Sequence, residues 1–312
     1  MFKVLLYEPI REEGVAVLRE ASADVRLASA TDEDTIIREI GDIDGAIIRA
    51  QGRMTRRILE HAPRLKVVGR HGVGVDNIDI DACTAHGVQV VSTPLATVES
   101  VAEHTLGLLI ALSKCIVYGD ARLRAGDWGA RYRIEGRELY GRSLGVAGFG
   151  RIGRRVAVVC HRAFSMPILY SDVVSAPDEE RDLGARRVEL DELLRTADYV
   201  TVHVPLLPTT RKMFGAREFA LMRPEAFFVN CSRGPVVDEQ ALYQALVQKQ
   251  IAGAAIDVFE EEPTPRDNPL LTLDNVVATP HMATATVESL IQMALVAKDI
   301  VACLQGKPVA FP

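Results

Sequence analysis

Three short segments of the 312-residue chain hold the side chains best suited to chemistry: Asn230-Cys231-Ser232-Arg233-Gly234, Asp257-Val258-Phe259-Glu260-Glu261-Glu262-Pro263 and Thr279-Pro280-His281. Each follows a short apolar run of strand type, and ligands of α/β sheets bind beyond the carboxyl ends of the strands. If the three segments meet there, an arginine, a carboxylate and a histidine lie together, a set suited to interconverting a keto and a hydroxy group. The planar fork of Arg233 can grip a substrate carboxylate. His281 can pass a proton to or from the reacting oxygen, and a buried carboxylate beside it favours the imidazolium form. Each residue also has a plainer reading: an arginine in a surface ion pair, a histidine capping a helix, a glutamate run in a solvated loop. Cys231, in the same set, reads as a small buried thiol rather than a nucleophile.

Such chemistry needs a hydride carrier, and the middle of the chain holds the place for one. After the apolar run Leu144-Gly145-Val146-Ala147 stands Gly148-Phe149-Gly150-Arg151-Ile152-Gly153, then a helix-like run from Arg154 to Ala163. Gly148 allows a tight strand-to-helix turn, Gly150 lets the backbone approach a pyrophosphate and Gly153 permits close helix packing. The N–H groups around Arg151 and Ile152 face the anion at the helix N-terminus. A glycine triplet alone is weak, but the acidic residue expected about twenty positions further on is present as Asp172, at the end of Ile168-Leu169-Tyr170-Ser171. Asp172 suits the ribose hydroxyls of NAD and repels the 2′-phosphate of NADP. The next charges, Asp178, Glu179 and Glu180, offer no arginine to receive that phosphate.

The elements that must position these residues form two α/β sets. Val4-Leu5-Leu6, Val25-Arg26-Leu27, Ala46-Ile47-Ile48, Leu65 to Val68 and Val88 to Val91 read as five strands, with helices near Glu12 to Glu20, Asp32 to Ile40 and Thr55 to His61. A second set runs Leu144 to Ala147, Ile168 to Tyr170, Tyr199 to His203, Ala226 to Asn230, Ala254 to Asp257 and Val276 to Thr279. Alternation of this kind predicts parallel sheets covered by helices on both faces. One long helix from Thr97 to about Leu123 is expected to bridge the sets, and a tail helix over Thr286 to Gln305 to return to the first. The domain expectation is therefore a discontinuous flavodoxin-like substrate domain, 1–96 and 285–312, and a Rossmann-type NAD domain, 97–284, with ligands in a cleft between them.

Composition narrows the partners. The net charge of −6 disfavours nucleic acid and anionic membrane surfaces, which attract basic proteins. No apolar run reaches spanning length and the first residues lack a signal core, so a cytoplasmic location is expected. Five scattered cysteines without a CxxC pair suggest reduced thiols, with neither a disulfide framework nor a metal site.

Over essentially its whole length the chain resembles the D-isomer-specific 2-hydroxyacid dehydrogenases. Besides the Gly148 fingerprint, the resemblance rests on Gly72-Val73-Gly74-Val75-Asp76-Asn77-Ile78-Asp79, Val101-Ala102-Glu103-His104-Thr105, His203-Val204-Pro205-Leu206, Asn230 to Gly234 and Ala255-Ile256-Asp257-Val258-Phe259. It implies an NAD-dependent oxidoreductase in which Arg233 binds the substrate carboxylate and His281 is the acid/base. Glu262, placed before a proline as in the family, is implied as the carboxylate partner in preference to Glu260 and Glu261. It further implies that Val73 and Gly74 help hold the carboxylate through their N–H groups. Asp257, with the backbone of Cys231, Ser232 and Arg233, would meet the nicotinamide carboxamide. Val204 and Pro205 would line the adenine side, with His203 in the same cofactor segment.

Within that family the loops look closest to phosphoglycerate dehydrogenases. That likeness gives Arg49 a substrate contact, with an inter-domain ion pair as the alternative, and Arg131 a contact across a homodimer. Ala96-Thr97, Ser92 and Met282-Ala283-Thr284 depart from the usual pattern on the substrate side. The leading substrate is 3-phosphoglycerate, followed by glyoxylate or hydroxypyruvate. Retention of Glu262 disfavours a formate dehydrogenase, and a chain ending at Pro312 implies no appended regulatory domain. A reading of another class is an NAD(H)-sensing scaffold similar to the C-terminal binding protein corepressors.

Overall fold

The computed structural model describes residues 1–311. The chain separates into two compact units, Glu99–Ala283 and the remainder, Met1–Val98 with the residues from Thr284 onward.

In the first unit the five apolar runs are strands β1 (Lys3–Leu6), β2 (Asp24–Leu27), β3 (Gly45–Ile48), β4 (Val67–Arg70) and β5 (Gln89–Val91). They pair in parallel in the order β2-β1-β3-β4-β5, the flavodoxin-like order. Both faces are covered, which is why the central strands read as continuous apolar runs rather than alternating ones. Ile36, Ile40, Ile43 and Ile58 pack on one face, and Leu18, Val296 and Ile300 on the other. The helix Val296–Leu304 lies close over β3 and β4: a methyl group at Gly69 would stand 3.0 Å from Ile300, and one at Gly45 3.2 Å from it. The predicted tail helix is two helices, Val287–Ala294 and Val296–Leu304. At Leu295 ψ is 0°, so its carbonyl takes the N–H of Lys298, three residues on, in place of the regular α-helical bond.

The second unit carries a seven-stranded parallel sheet. Its strands are β6 (Leu144–Ala147), β7 (Ile168–Ser171), β8 (Arg186–Arg187), β9 (Tyr199–Val202), β10 (Phe227–Asn230), β11 (Gly253–Ile256) and β12 (Val276–Ala278). Their order is β12-β11-β10-β9-β6-β7-β8. The chain winds outward from β6 to β8, then returns to start again at β9, so the topological switch point lies between β6 and β9, where such sheets bind dinucleotides. Strand β8 was not predicted, since its two exposed arginines carry no apolar signal.

The long bridging helix expected over Thr97 to Leu123 is also two elements, Val98–Ser113 and Ile116–Arg124, bent by 61°. The break has a local cause: Cys115 adopts a left-handed conformation with φ of +54°, which an α-helix cannot accommodate. The carbonyl freed at Ser113 accepts from the N–H of Arg137 at 2.7 Å. Apolar periodicity runs across the break from Leu112 to Ile116 and Val117, yet the second helix contains no buried residue. Among the described residues, no single helix is long and apolar enough to cross a membrane.

Candidate active site

The turn after β6 has the shape a dinucleotide needs. Gly148 has φ of +88°, and a Cβ there would lie 2.6 Å from the Val204 nitrogen, so the loop beyond β6 presses on the loop beyond β9. A Cβ on Gly153 would lie 2.2 Å from the Gly148 carbonyl oxygen, whereas one on Gly150 would meet nothing within 4 Å. The first and third glycines are thus demanded by packing, and the second opens space. Gly150 precedes the helix Arg151–Phe164 and no side chain caps it. The N–H groups of the first turn, at Arg151 and Ile152, could hold a pyrophosphate. Asp172 receives the N–H of Phe149 at 2.5 Å and of Val174 at 3.0 Å. The residues present therefore fit NAD.

One expectation at this end is corrected. Arg187, on β8, bonds the main-chain carbonyl of Asp172 through Nε at 3.2 Å and Nη2 at 2.8 Å, so an arginine does stand beside the acidic residue. The parallel register pairing Tyr170 with Arg187 puts it there.

The three chemistry-bearing segments meet at the carboxyl ends of β10, β11 and β12. His281 Nδ1 lies 2.7 Å from Glu262 Oε2, and Glu262 Oε1 accepts the N–H of Phe259 at 3.0 Å. Burial alone would raise the Glu262 carboxyl. The His281 hydrogen bond, the Phe259 N–H and the nearby charges of His281 and Arg233 outweigh it and hold the carboxyl below its ordinary range. Glu262 is therefore an anion at neutral pH. Glu260 turns elsewhere, toward Lys212 at 3.6 Å and the N–H of Glu239 at 3.3 Å.

Arg233 reaches this pair because its loop touches the next one: a Cβ on Gly234 would stand 1.8 Å from the carbonyl oxygen of Phe259. Any side chain at Gly234 would force the loops after β10 and β11 apart. The Asn230 amide donates to the Arg233 carbonyl at 3.1 Å, and Arg233 Nη1 bonds the Ser232 carbonyl at 2.8 Å. His281 itself sits at φ of +48°, a conformation costing a side chain about 1–2 kcal/mol. Its N–H holds it there, shared between the carbonyls of Asp257 at 2.7 Å and Thr279 at 3.0 Å.

Asp257 is fully buried and organises the floor of the site. It accepts the Thr279 hydroxyl at 2.6 Å and the N–H groups of Met282 and Ala283, each at 2.9 Å. His104 Nε2 lies 3.0 Å from Thr279 Oγ1 and 3.4 Å from Asp257 Oδ1. Burial pushes this carboxyl up, but the hydrogen bonds from His104, Thr279 and the two N–H groups bring it below its usual value. Sequence reasoning gave His104 and Thr279 no role. Their only signal was the Val101 to Thr105 motif and the position of Thr279 at a strand end.

The remaining expected residues fall in three places. His203, after β9, bonds the Thr201 hydroxyl at 2.9 Å, and burial pushes its imidazole down to about 3, so it is neutral and no acid/base. Burial raises the Cys231 thiol to about 12, which makes it a poor nucleophile. The Ser232 N–H and hydroxyl both bond Asn230 Oδ1, at 3.0 and 2.8 Å.

In the first unit, Val73 and Gly74 follow Gly72, whose φ is +133°. Arg70 clamps their loop through the carbonyls of Gly74 at 2.6 Å and His71 at 2.8 Å. Arg49 Nη1 bonds the Pro9 carbonyl at 2.6 Å. The imidazole of His71 is lowered to about 4 by burial first, then by the charges of Arg49 and Arg70. Arg131 lies over the rings of Trp128 at 5.9 Å and Tyr132 at 5.2 Å.

Comparison with known proteins agrees with this geometry. Residues 106–283 match the family model described as the D-isomer specific 2-hydroxyacid dehydrogenase, NAD binding domain. The chain is 44% identical over 311 residues to the D-3-phosphoglycerate dehydrogenase of Methanocaldococcus jannaschii, covering 98% of this chain and 58% of that protein. It thus spans little more than half the length of that relative. It is 38% identical over 315 residues to the glyoxylate reductase of Pyrococcus furiosus, covering 98% and 93% of the two chains. A solved D-lactate dehydrogenase from Aquifex aeolicus, complexed with NAD and lactic acid, superposes with a TM-score of 0.87 at 31% identity, over 97% of this chain and 96% of that one. The chain therefore belongs to the D-isomer specific 2-hydroxyacid dehydrogenase family of oxidoreductases, with NAD as its cofactor.

Proposed function

We propose that this chain interconverts a D-2-hydroxy acid and its 2-keto acid, with 3-phosphoglycerate as the preferred substrate. The observation that carries the chemistry is the 2.7 Å contact of His281 Nδ1 with an anionic Glu262, beside Arg233. With Nδ1 donating to Glu262, Nε2 is the atom left to exchange a proton with the substrate. Bound NAD supplies the hydride acceptor for oxidation, and NADH the donor for reduction. His281 takes the hydroxyl proton during oxidation and returns it to the oxygen during reduction, while Glu262 stabilises the imidazolium formed between. Arg233 holds the carboxylate in its fork, fixing C2 relative to the nicotinamide. Asp257, with the backbone of Cys231, Ser232 and Arg233, anchors the carboxamide. Gly148, Gly150, Arg151, Ile152 and Gly153 take the pyrophosphate, Asp172 the ribose, and His203, Val204 and Pro205 the adenine end.

We read 1–96 and 285–312 as the substrate domain and 97–284 as the NAD domain. In the former, the N–H groups of Val73 and Gly74 suit the carboxylate. Arg49 supports a phosphorylated substrate, because it adds a cation at the end of β3 next to Arg70, at the end of β4. The Methanocaldococcus relative supports the same reading, and the Pyrococcus one supports glyoxylate as the alternative. The test is direct: steady-state kinetics on 3-phosphoglycerate, glyoxylate, hydroxypyruvate and unphosphorylated 2-hydroxy acids, followed at the NADH absorbance. The highest kcat/KM is expected for 3-phosphoglycerate. Absence of turnover with the whole panel would overturn the dehydrogenase reading in favour of an NAD(H) sensor.

A homodimer is part of the same proposal. Ile116, Val117, Leu123, Trp128, Tyr132 and Tyr140 are exposed along one helix and the arm that follows it, an apolar run of the kind that marks an interface. Arg131, between two exposed rings, would then act in the partner's site. Light scattering is expected to read twice the 34.1 kDa chain mass, and a Leu123→Asp variant to read the single mass. A monomer for the native chain would remove this part of the proposal. The five free thiols support a reducing, cytoplasmic setting.

A further inference from the structure

We propose that Arg187 is a second determinant of cofactor choice. It fixes the turn that carries Asp172, and it is the cation that receives a 2′-phosphate once the Asp172 charge is removed. The turn is held from two sides. Asp172 Oδ2 and Oδ1 accept the N–H groups of Phe149 and Val174, which orient the carboxylate. Arg187 grips the main chain of the same residue, with Nη2 reaching the carbonyls of Asp172 at 2.8 Å and Val173 at 3.2 Å. A carboxylate oxygen has more than one acceptor position, so both Asp172 oxygens keep capacity for ribose hydroxyls.

The surrounding charges make Arg187 distinctive. Arg181 pairs with Asp178 and Asp182, Arg186 with Glu192, and Arg154 with Glu179. Arg187 is exposed, and all three of its hydrogen bonds among the described residues go to uncharged carbonyls. Arg187 is thus in no ion pair among the described residues, while it holds the main chain of the residue whose carboxylate selects against a 2′-phosphate. An arginine near the acidic residue is the group that accommodates such a phosphate in NADP-binding members of this fold class. Here it serves NAD, because Asp172 supplies a repelling charge at the ribose while Arg187 spends its donors on the turn.

Equilibrium titration of NADH and NADPH, followed by cofactor fluorescence, tests this without reference to any acid substrate. Arg187→Ala is expected to weaken NADH binding about 3–10-fold, a loss of the size of one hydrogen bond. Asp172→Ser is expected to bind NADPH about tenfold or more tightly than the native chain does, the scale of a charge-assisted hydrogen bond. Asp172→Ser/Arg187→Ala is expected to lose that gain, and the gain in the single variant to shrink as salt rises. The pair Asp172→Asn and Asp172→Asn/Arg187→Met repeats the comparison with shapes closer to the native ones. Equal NADPH affinity in the single and double variants of both pairs would overturn the phosphate role, and unchanged NADH affinity in Arg187→Ala would overturn the positioning role.

Discussion

Replacing His281 by alanine is expected to lower kcat by about 10²–10⁴-fold, the usual scale for loss of a positioned acid/base, while NADH affinity stays close to native. The separation of the two effects follows from the structure. The glycine turn, Asp172 and the buried Asp257 network, proposed to hold the cofactor, are built from contacts that include no His281 side-chain atom. What alanine removes is the imidazole on Glu262, and with it the group proposed to exchange a proton with the reacting oxygen. The backbone strain at position 281, with φ of +48°, remains in the variant, so its folding should be little changed. Stopped-flow measurement of the hydride step alongside an NADH titration separates chemistry from binding. A native hydride rate in the variant would remove His281 from the mechanism. Glu262→Gln should do less harm than His281→Ala, since an amide can still accept from Nδ1 but offers no charge to the imidazolium.

The features legible in the sequence were those set by local physics. The glycines at 148, 150 and 153 are demanded by a turn, an open approach and a close contact within a few residues, so spacing alone exposes them. The buried central strands announce themselves as apolar runs, and the strand ends then point to Arg233 and His281. The features that stayed hidden depend on pairing between distant segments. Arg187 meets Asp172 only because β8 lies beside β7 in register, and a two-residue strand of arginines gives no pattern to find. His104 reaches Thr279 across 175 positions of chain. The break at Cys115 was hidden because the apolar spacing continues across it, although burial does not. The choice among Glu260, Glu261 and Glu262 is likewise not written in their types. It is made by the Phe259 N–H, which fixes one carboxylate toward His281, and by Lys212, which draws another away.

Arg233→Ala is expected to lower kcat/KM for the keto acid by about 30-fold to a few thousand-fold, because truncating one partner of a desolvated charge pair costs about 2–5 kcal/mol. Arg233→Lys should recover only part of this loss, since an ammonium offers a point charge where a carboxylate needs a planar fork. The effect should appear mostly in KM for the acid and little in KM for NADH, as the pyrophosphate turn and Asp172 stand on other loops. A second, smaller consequence has a definite sign. The Arg233 charge is one of the causes that hold Glu262 below its ordinary range, after the His281 hydrogen bond and the Phe259 N–H. Without it the Glu262 carboxyl rises toward its unperturbed value. Protonation of Glu262, which deprives His281 of its anionic partner, then sets in at higher pH, and the acid limb of the rate profile should move slightly upward. Arg233→Ala would show that shift and Arg233→Lys would not, because lysine restores the charge without the fork. If KM for the keto acid were unchanged in both variants, the carboxylate would have to be held by another group, and the Arg49, Val73 and Gly74 set would be the place to look.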